Sequence, residues 1–401
     1  MKESIHHAFY ISCMAVTLLG CQPKQQPSSQ IPVLDVRTII GKESSIELKK
    51  EIAHVEYIPL ETNDSCLISN LLNLQLSDEY LFMYNGKTRQ VLQFDRKGKF
   101  VRPIGRPGGG PGEYGLVSEL AIETDLRELS IFQYGDSRLI YSFDGVFLRK
   151  DSVIPSQAAG MYKLPNGDFA LKGLIMSPIQ NAPWAGALMT KEGALKASKN
   201  LYPSTLKEDV CFMKEICFSP SSKNVLLFTS CNDTVFDISS NGITPAYILQ
   251  RQNESDYYAN IADISRLGDP AIENEQTIGV YDFFETGNSF FVRLYKGENI
   301  YLLHYDKSTG ELKSQRAHDD YIASSGMIPG NNVIGIKNDF DGGIPFWPEF
   351  HCNENSRAQV VSASLISALR EKGHLIGGPS ALEIGEDDNP VIIIYQFKHH
   401  I

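Results

Sequence analysis

The densest group of chemistry-bearing side chains lies in Gly105–Tyr114, GRPGGGPGEY. Arg106 offers a planar fork of donors and Tyr114 a stacking face, with Glu113 beside it. Two readings are open. In one, Arg106, Glu113 and Tyr114 line the mouth of a central channel and meet a ligand. In the other, Glu113 and Tyr114 pin the loop and Arg106 pairs with Glu113. Arg89 and Arg138 each stand just before the third strand of a repeated unit, which would set them on the same rim. Trp347, in Pro345-Phe346-Trp347-Pro348, reads either as a core plug or as an exposed sugar platform.

Other candidates carry less. Asp319, Asp320, Asp339 and Asp341 supply carboxylates, but loop acids of this kind are ordinarily solvated. His304 and His318 are isolated and read as structural or exposed, and His399 and His400 sit near a terminus. The glycine run Gly105–Gly112 opens no helix and lacks the Gly-Lys-Ser/Thr ending of a phosphate loop. No Ser-x-Asp-x-Gly-x-x-Trp box of sialidase propellers and no Cys/His spacing for zinc is present. The sequence therefore names no catalytic residue, metal ligand or cofactor. The formal net charge of −11 offers no basic face for nucleic acid.

A repeat positions these residues. Phe94–Ile104 reads as strand, turn and return strand, and Gly105–Gly112 then packs five glycines and two prolines into eight residues. Such a segment can be neither helix nor ladder interior, and it suits a chain leaving the outer edge of one sheet for the inside of the next. The signature recurs. The aligned turn glycines are Gly98, Gly145, Gly193, Gly242 and Gly310, spaced 47, 48, 49 and 68 residues apart. Four short strands per period of about 48 residues is the signature of a β-propeller. The long interval is explained by an inserted helix over Asn253–Leu267. A second helix is expected over Gln359–Lys372, and a strand over Asn332–Lys337. Val391–Phe397 (VIIIYQF) is expected to pair with the strand around Tyr57 and close the ring, with Pro59 marking an edge position.

The N-terminus reads as an address. Ala8–Gly20 is an apolar run of 13 residues, of signal-peptide length and too short to span a bilayer. It ends Leu18-Leu19-Gly20-Cys21, which resembles the lipobox of bacterial lipoproteins and implies a lipid-modified Cys21. The expected organisation is residues 1–20 as signal peptide, 21–45 as lipidated cysteine and flexible tether, and 46–401 as propeller. Of the other cysteines, one bridge among Cys211, Cys217 and Cys231 is open, and buried free thiols are the default.

Two segments, YNGKTRQVLQFDRKGKFVRPIGRPGGGPGEYG and SRLIYSFDGVFL, resemble NHL-type repeats. With Tyr57–Thr62, Gly105–Tyr114 and Glu386–Phe397, the chain resembles the six-bladed β-propeller lipoproteins of Bacteroides and relatives. The resemblance implies an all-β, NHL/TolB-like six-bladed propeller of four-stranded antiparallel blades with short helical insertions. It implies a lipid-anchored protein of the outer membrane, facing the periplasm because no acidic cluster follows Cys21, and it brings no assigned catalytic residue. The expected function is an envelope binding module presenting a propeller face to a glycan, peptide or protein partner. The alternative is a hydrolase or lyase with its site in the central channel.

Overall fold

The computed structural model describes residues 31–133, 137–151, 158–173, 184–200, 216–221, 223–229, 232–251, 278–297, 299–317 and 334–398. The ordered chain opens with strand β1 (Val33–Leu34), the short helices α1 (Val36–Ile39) and α2 (Leu48–Glu51), and strand β2 (Ile52–Pro59). Blade one is β3 (Leu71–Leu76), β4 (Tyr80–Asn85), β5 (Gln90–Asp95) and β6 (Phe100–Ile104). A hinge with two short strands, β7 (Arg106–Pro107) and β8 (Glu113–Tyr114), leads on. Blade two follows as β9 (Val117–Glu123), β10 (Glu128–Gln133), β11 (Arg138–Ser142) and β12 (Phe147–Asp151). Blade three is β13 (Ala158–Lys163), β14 (Phe169–Gly173), β15 (Gly186–Met189) and β16 (Leu195–Lys199). Blade four is β17 (Ile216–Pro220), β18 (Val225–Thr229), β19 (Thr234–Ser239) and β20 (Gly242–Leu249). Blade five is β21 (Ile278–Glu285), β22 (Ser289–Lys296), β23 (Asn299–Asp306) and β24 (Leu312–Arg316). Blade six takes β25 (Phe350–Asn353), β26 (Ser356–Val361) and, after helix α3 (Ala363–Glu371), β27 (Val391–Phe397), with β2 as its outer strand. The result is the all-β six-bladed propeller expected from the repeat.

Each blade is an antiparallel meander, and the first strands of neighbouring blades approach one another around the axis. The core is not a single mass. An apolar cluster fills the gap between each pair of neighbouring blades. That is why the central strands read as unbroken apolar runs rather than alternating ones: both sheet faces are covered. In β27, Val391, Ile393, Tyr395 and Phe397 point toward blade five, and Ile392 and Ile394 toward blade one.

Ring closure is the antiparallel pairing of β2 with β27, from Ile52 opposite Phe397 to Pro59 opposite Val391. Pro59 lies in the outer strand, where its missing N–H removes no ladder bond. Asn389 locks the approach to this strand. Its Oδ1 accepts from Ile68 N at 2.8 Å, and its Nδ2 donates to the Glu61 and Cys66 carbonyls at 2.6 and 2.9 Å.

The compact unit begins at Pro32, upstream of the boundary at 46 read from the sequence. β1 adds in parallel to the outer strand of blade four, making that sheet five-stranded. Ser44 then exchanges backbone and hydroxyl bonds with Ser314 on the outer strand of blade five, and Glu51 O accepts from Lys398 N in blade six. Residues 32–51 are thus a strap across the rims of three blades. Its apolar anchors, Leu34, Val36, Ile46 and Leu48, are spent in two different inter-blade clusters, so they show no strand or helix period.

Two further expectations change. Gln359–Val361 belong to β26, and the helix starts only at Ala363, where the Ser362 side chain accepts from Leu365 N. The apolar positions at helical spacing across 359–372 mix a buried strand with a helix. In place of a strand over Asn332–Lys337, the described part forms one bridge, Ile336 with Phe346. The helix expected over Asn253–Leu267, the lipobox, Cys211, Cys231, His318, Asp319 and Asp320 lie outside the described residues. Cys217 is buried, and its Sγ donates to the Tyr281 carbonyl at 3.4 Å.

Candidate functional site

The innermost strand carries a β-bulge against its neighbour in five blades, at residues near 72, 118, 159, 281 and 352. A bulge re-aims side chains and is a common device beside functional sites. In blade five it directly precedes Asp282.

The second strands of blades three, five and six each carry a cation that pairs with the innermost strand: Lys172 in β14, Arg293 in β22 and Arg357 in β26. Their inner-strand partners are Gly160, Asp282 and His351. Lys172 and Arg357 line one cavity beside the channel, and Arg293 holds Asp282 and Glu349 on its wall.

Arg293 grips Asp282 with both prongs of its fork, Nε to Oδ1 at 2.9 Å and Nη2 to Oδ2 at 2.6 Å. The same Nη2 lies 3.6 Å from Glu349. Its guanidinium stacks 4.9 Å over the Trp347 ring, and the indole Nε1 donates to Asp282 Oδ2 at 3.2 Å. Lys172 lies 3.7 Å from Glu119 of blade two, whose carboxyl is pushed up by burial against the pull of that lysine.

Arg357 is held differently. It is 4% exposed and donates to three carbonyl oxygens, Pro348 at 3.2 Å, Glu349 at 3.4 Å and Pro220 at 3.5 Å. Its guanidinium covers the Phe284 ring at 4.8 Å. Burial holds its pKa down to about 10, with opposing pulls from Cys352 and Asp282. His351 beside it is held down to about 3, first by burial and then by the Arg357 charge.

A cavity of about 240 Å³ opens among these groups, lined by Lys172, Ser219, Asp282, Trp347, Glu349 and Arg357 together with aromatic side chains of β17 and β21. A second, of about 200 Å³, lies on the other side of Arg357 and includes Glu285, Lys307 and His351. Among the described residues no three of His, Cys, Asp and Glu converge as a metal site would need.

The family model described as a domain of unknown function (DUF4934) matches residues 31–396. The chain belongs to the DUF4934 family. No curated protein matches it. Among solved structures, this DUF4934 chain is similar to a protein of Bacteroides fragilis NCTC 9343 described as a candidate exported protein. The identity is 16% and the TM-score 0.63, over 89% of this chain and 98% of that one. A DUF4221 member from Bacteroides vulgatus ATCC 8482 aligns at 11% identity and TM-score 0.46, over 87% and 99%. The extracellular domain of a candidate one-component system of Bacteroides thetaiotaomicron aligns at 12% identity and TM-score 0.37, over 65% and 29%. At such identities the first likeness supports the fold. Among the described residues no helix is long and apolar enough to cross a membrane.

The residues singled out from the DUF4934 sequence do not converge. Arg106 pairs with Glu113 at 2.6 Å, and Glu113 also accepts from Gly110 N at 2.8 Å, which holds its carboxyl below the usual range. Tyr114 is fully buried. Its hydroxyl accepts from Val91 N at 2.9 Å and donates to the Ile104 carbonyl at 3.1 Å, so its ring packs the hinge rather than facing solvent. Arg138 pairs with Asp151 of its own blade at 3.0 Å. Arg89 is exposed on a tight turn at φ 58°. Only Trp347 reaches the channel, and it does so as a buried side chain. Asp339 and Asp341 bond to Lys49 N and to the Tyr57 hydroxyl. His304 is buried against Ser289 and Glu51 at 2.9 and 3.2 Å. The sequence reading missed Lys172, Asp282, Arg293 and Arg357. The available signal was a charge flanked by apolar residues inside a strand, as Arg293 is in SFFVRLYK.

Proposed function

We propose that this chain is an exported binding module of the bacterial envelope, held to the outer membrane by lipid on Cys21 and taking its ligand in the channel at blades four to six. The observation that carries the reading is the lining of the 240 Å³ cavity, where apolar walls surround a few polar groups fixed in place. Asp282 has both oxygens committed to Arg293 and Trp347, which suits a scaffold that orients a bound molecule. The likeness to a protein described as exported is one of fold. The test is hydrogen–deuterium exchange of the full chain across glycan and peptide panels. Protection confined to 216–220, 278–285 and 347–357 is expected, and protection elsewhere overturns the channel assignment. Replacing Cys21 with Ala should release the protein from the membrane fraction, and retention there refutes the anchor.

A channel hydrolase or lyase is the second reading. It is favoured by one feature, the carboxylates of Asp282 and Glu349 meeting at a single Arg293 nitrogen. Turnover that Asp282→Asn abolishes without loss of binding would establish it over the binding module.

A further inference from the structure

Among the described residues, Arg357 is the one channel cation with no carboxylate on it. Lys172 has Glu119, Arg293 has Asp282 and Glu349, Lys223 has Glu354 and Lys307 has Glu285. Arg357 has three carbonyl contacts, two of them at 3.4 Å or longer, for a group that carries five N–H donors. A buried charge without an ion partner is costly and is retained where something else completes it. It stands between the two cavities and lines both. A second group points the same way. Ser219 Oγ, on the inner strand of blade four, is buried without a hydrogen-bond partner and lines the same cavity as Arg357.

We propose that the cavity at blades four to six is a receptor for a small ligand bearing one carboxylate, which lies on the Arg357 fork and accepts from Ser219 Oγ. This rests on the channel being the binding site. The charge balance selects the class. Lys172, Asp282 and Glu349 also line the cavity, so its two cations face two carboxylates and leave no surplus for a dianion such as phosphate, whereas a planar monoanion matches the fork bidentately. Size selects further. About 240 Å³ is below the usual range for drug-sized ligands and admits one sugar acid or one amino-acid unit. Much of the remaining wall is aromatic, from Phe218, Tyr281, Phe283 and Phe284, and suits the apolar face of either.

The experiment is calorimetric titration of the full chain with glucuronate, N-acetylalanine, glucose, N-acetylalanine amide and inorganic phosphate. The expected result is that one carboxylate binds about thirtyfold or more tighter than its neutral analogue, the worth of a charged hydrogen bond. The tighter of the two acids names the source. Arg357→Met, which keeps bulk and removes charge, should abolish that preference while the chain still unfolds cooperatively. Ser219→Ala, which removes a hydroxyl that has no protein partner, should weaken the acid about three- to tenfold with no loss of stability. Equal affinity for acid and neutral analogue overturns the proposal but leaves the channel module standing if protection still maps there. Tightest binding of phosphate overturns the carboxylate assignment. A preference that survives Arg357→Met overturns the role of the fork. No binding in the channel by either acid overturns the carboxylate receptor, and the channel module then stands or falls by the exchange panels.

Discussion

Asn389→Ala should be among the most damaging single changes outside the apolar clusters. The side chain is 2% exposed and joins the strand that closes the ring to the 61–68 loop. Truncation strands the Ile68 N–H and removes a donor from the Glu61 and Cys66 carbonyls. A stranded buried donor costs about 1–3 kcal/mol and each carbonyl bond about 1 kcal/mol, which gives about 4 kcal/mol in all. For a unit of roughly 370 residues the unfolding entropy near 60 °C is about 0.8 kcal/mol/K, so the melting temperature should fall by about 5 °C. Scanning calorimetry of the purified chain measures this. Asn389→Asp should cost at least as much, because it keeps the acceptor but replaces both N–H donors with a charge facing two carbonyls. A shift below about 1 °C for the alanine variant would refute the idea that this side chain secures the closure.

Ile393→Ala, at the centre of β27 and fully buried, should cost about 2–5 kcal/mol by leaving a cavity between blades five and six, read as a lowered denaturant midpoint. Gly105 sits at φ 59°, and a Cβ there would lie 2.6 Å from the Tyr141 hydroxyl, so Gly105→Ala should lower the melting temperature while Gly109→Ala, in open space, should not. His351 resists protonation in the fold, down to about 3 against an ordinary 6.5, so the unfolded chain binds more protons between those values. Stability should therefore fall as pH drops from about 6.5 toward 3, and His351→Gln should flatten that part of the curve in pH-dependent unfolding.

The ring was legible because its punctuation is local. Gly98, Gly145, Gly193, Gly242 and Gly310 all adopt positive φ at the same turn of five successive blades, and that requirement writes glycine into the sequence at a near-regular period. The closing strand was legible for a related reason: a strand covered on both faces must be apolar throughout. The strap was not, because residues 32–51 give each blade only one or two anchors. The channel was not, because its residues are drawn from blades far apart in the sequence. Lys172, Arg293 and Arg357 are separated by more than a hundred or by scores of residues, and only closure of the ring sets them side by side. The hinge drew attention for the opposite reason. Its residues are adjacent in sequence, and the structure spends them on one another: Arg106 on Glu113, and Tyr114 on the ends of β5 and β6.

The strap has a mechanical meaning. Tension applied upstream of Pro32 falls first on the backbone bonds that join residues 32–37 to the rim of blade four, those of Pro32, Leu34 and Arg37 among them. Only when these have parted does the load reach Ser44 at blade five, and only after that the Lys398 bond to Glu51 and the long ladder of β2 with β27. A pull on that end is met a few bonds at a time, like peeling tape. Some twenty residues of slack are paid out before any force reaches the joint that keeps the propeller a ring.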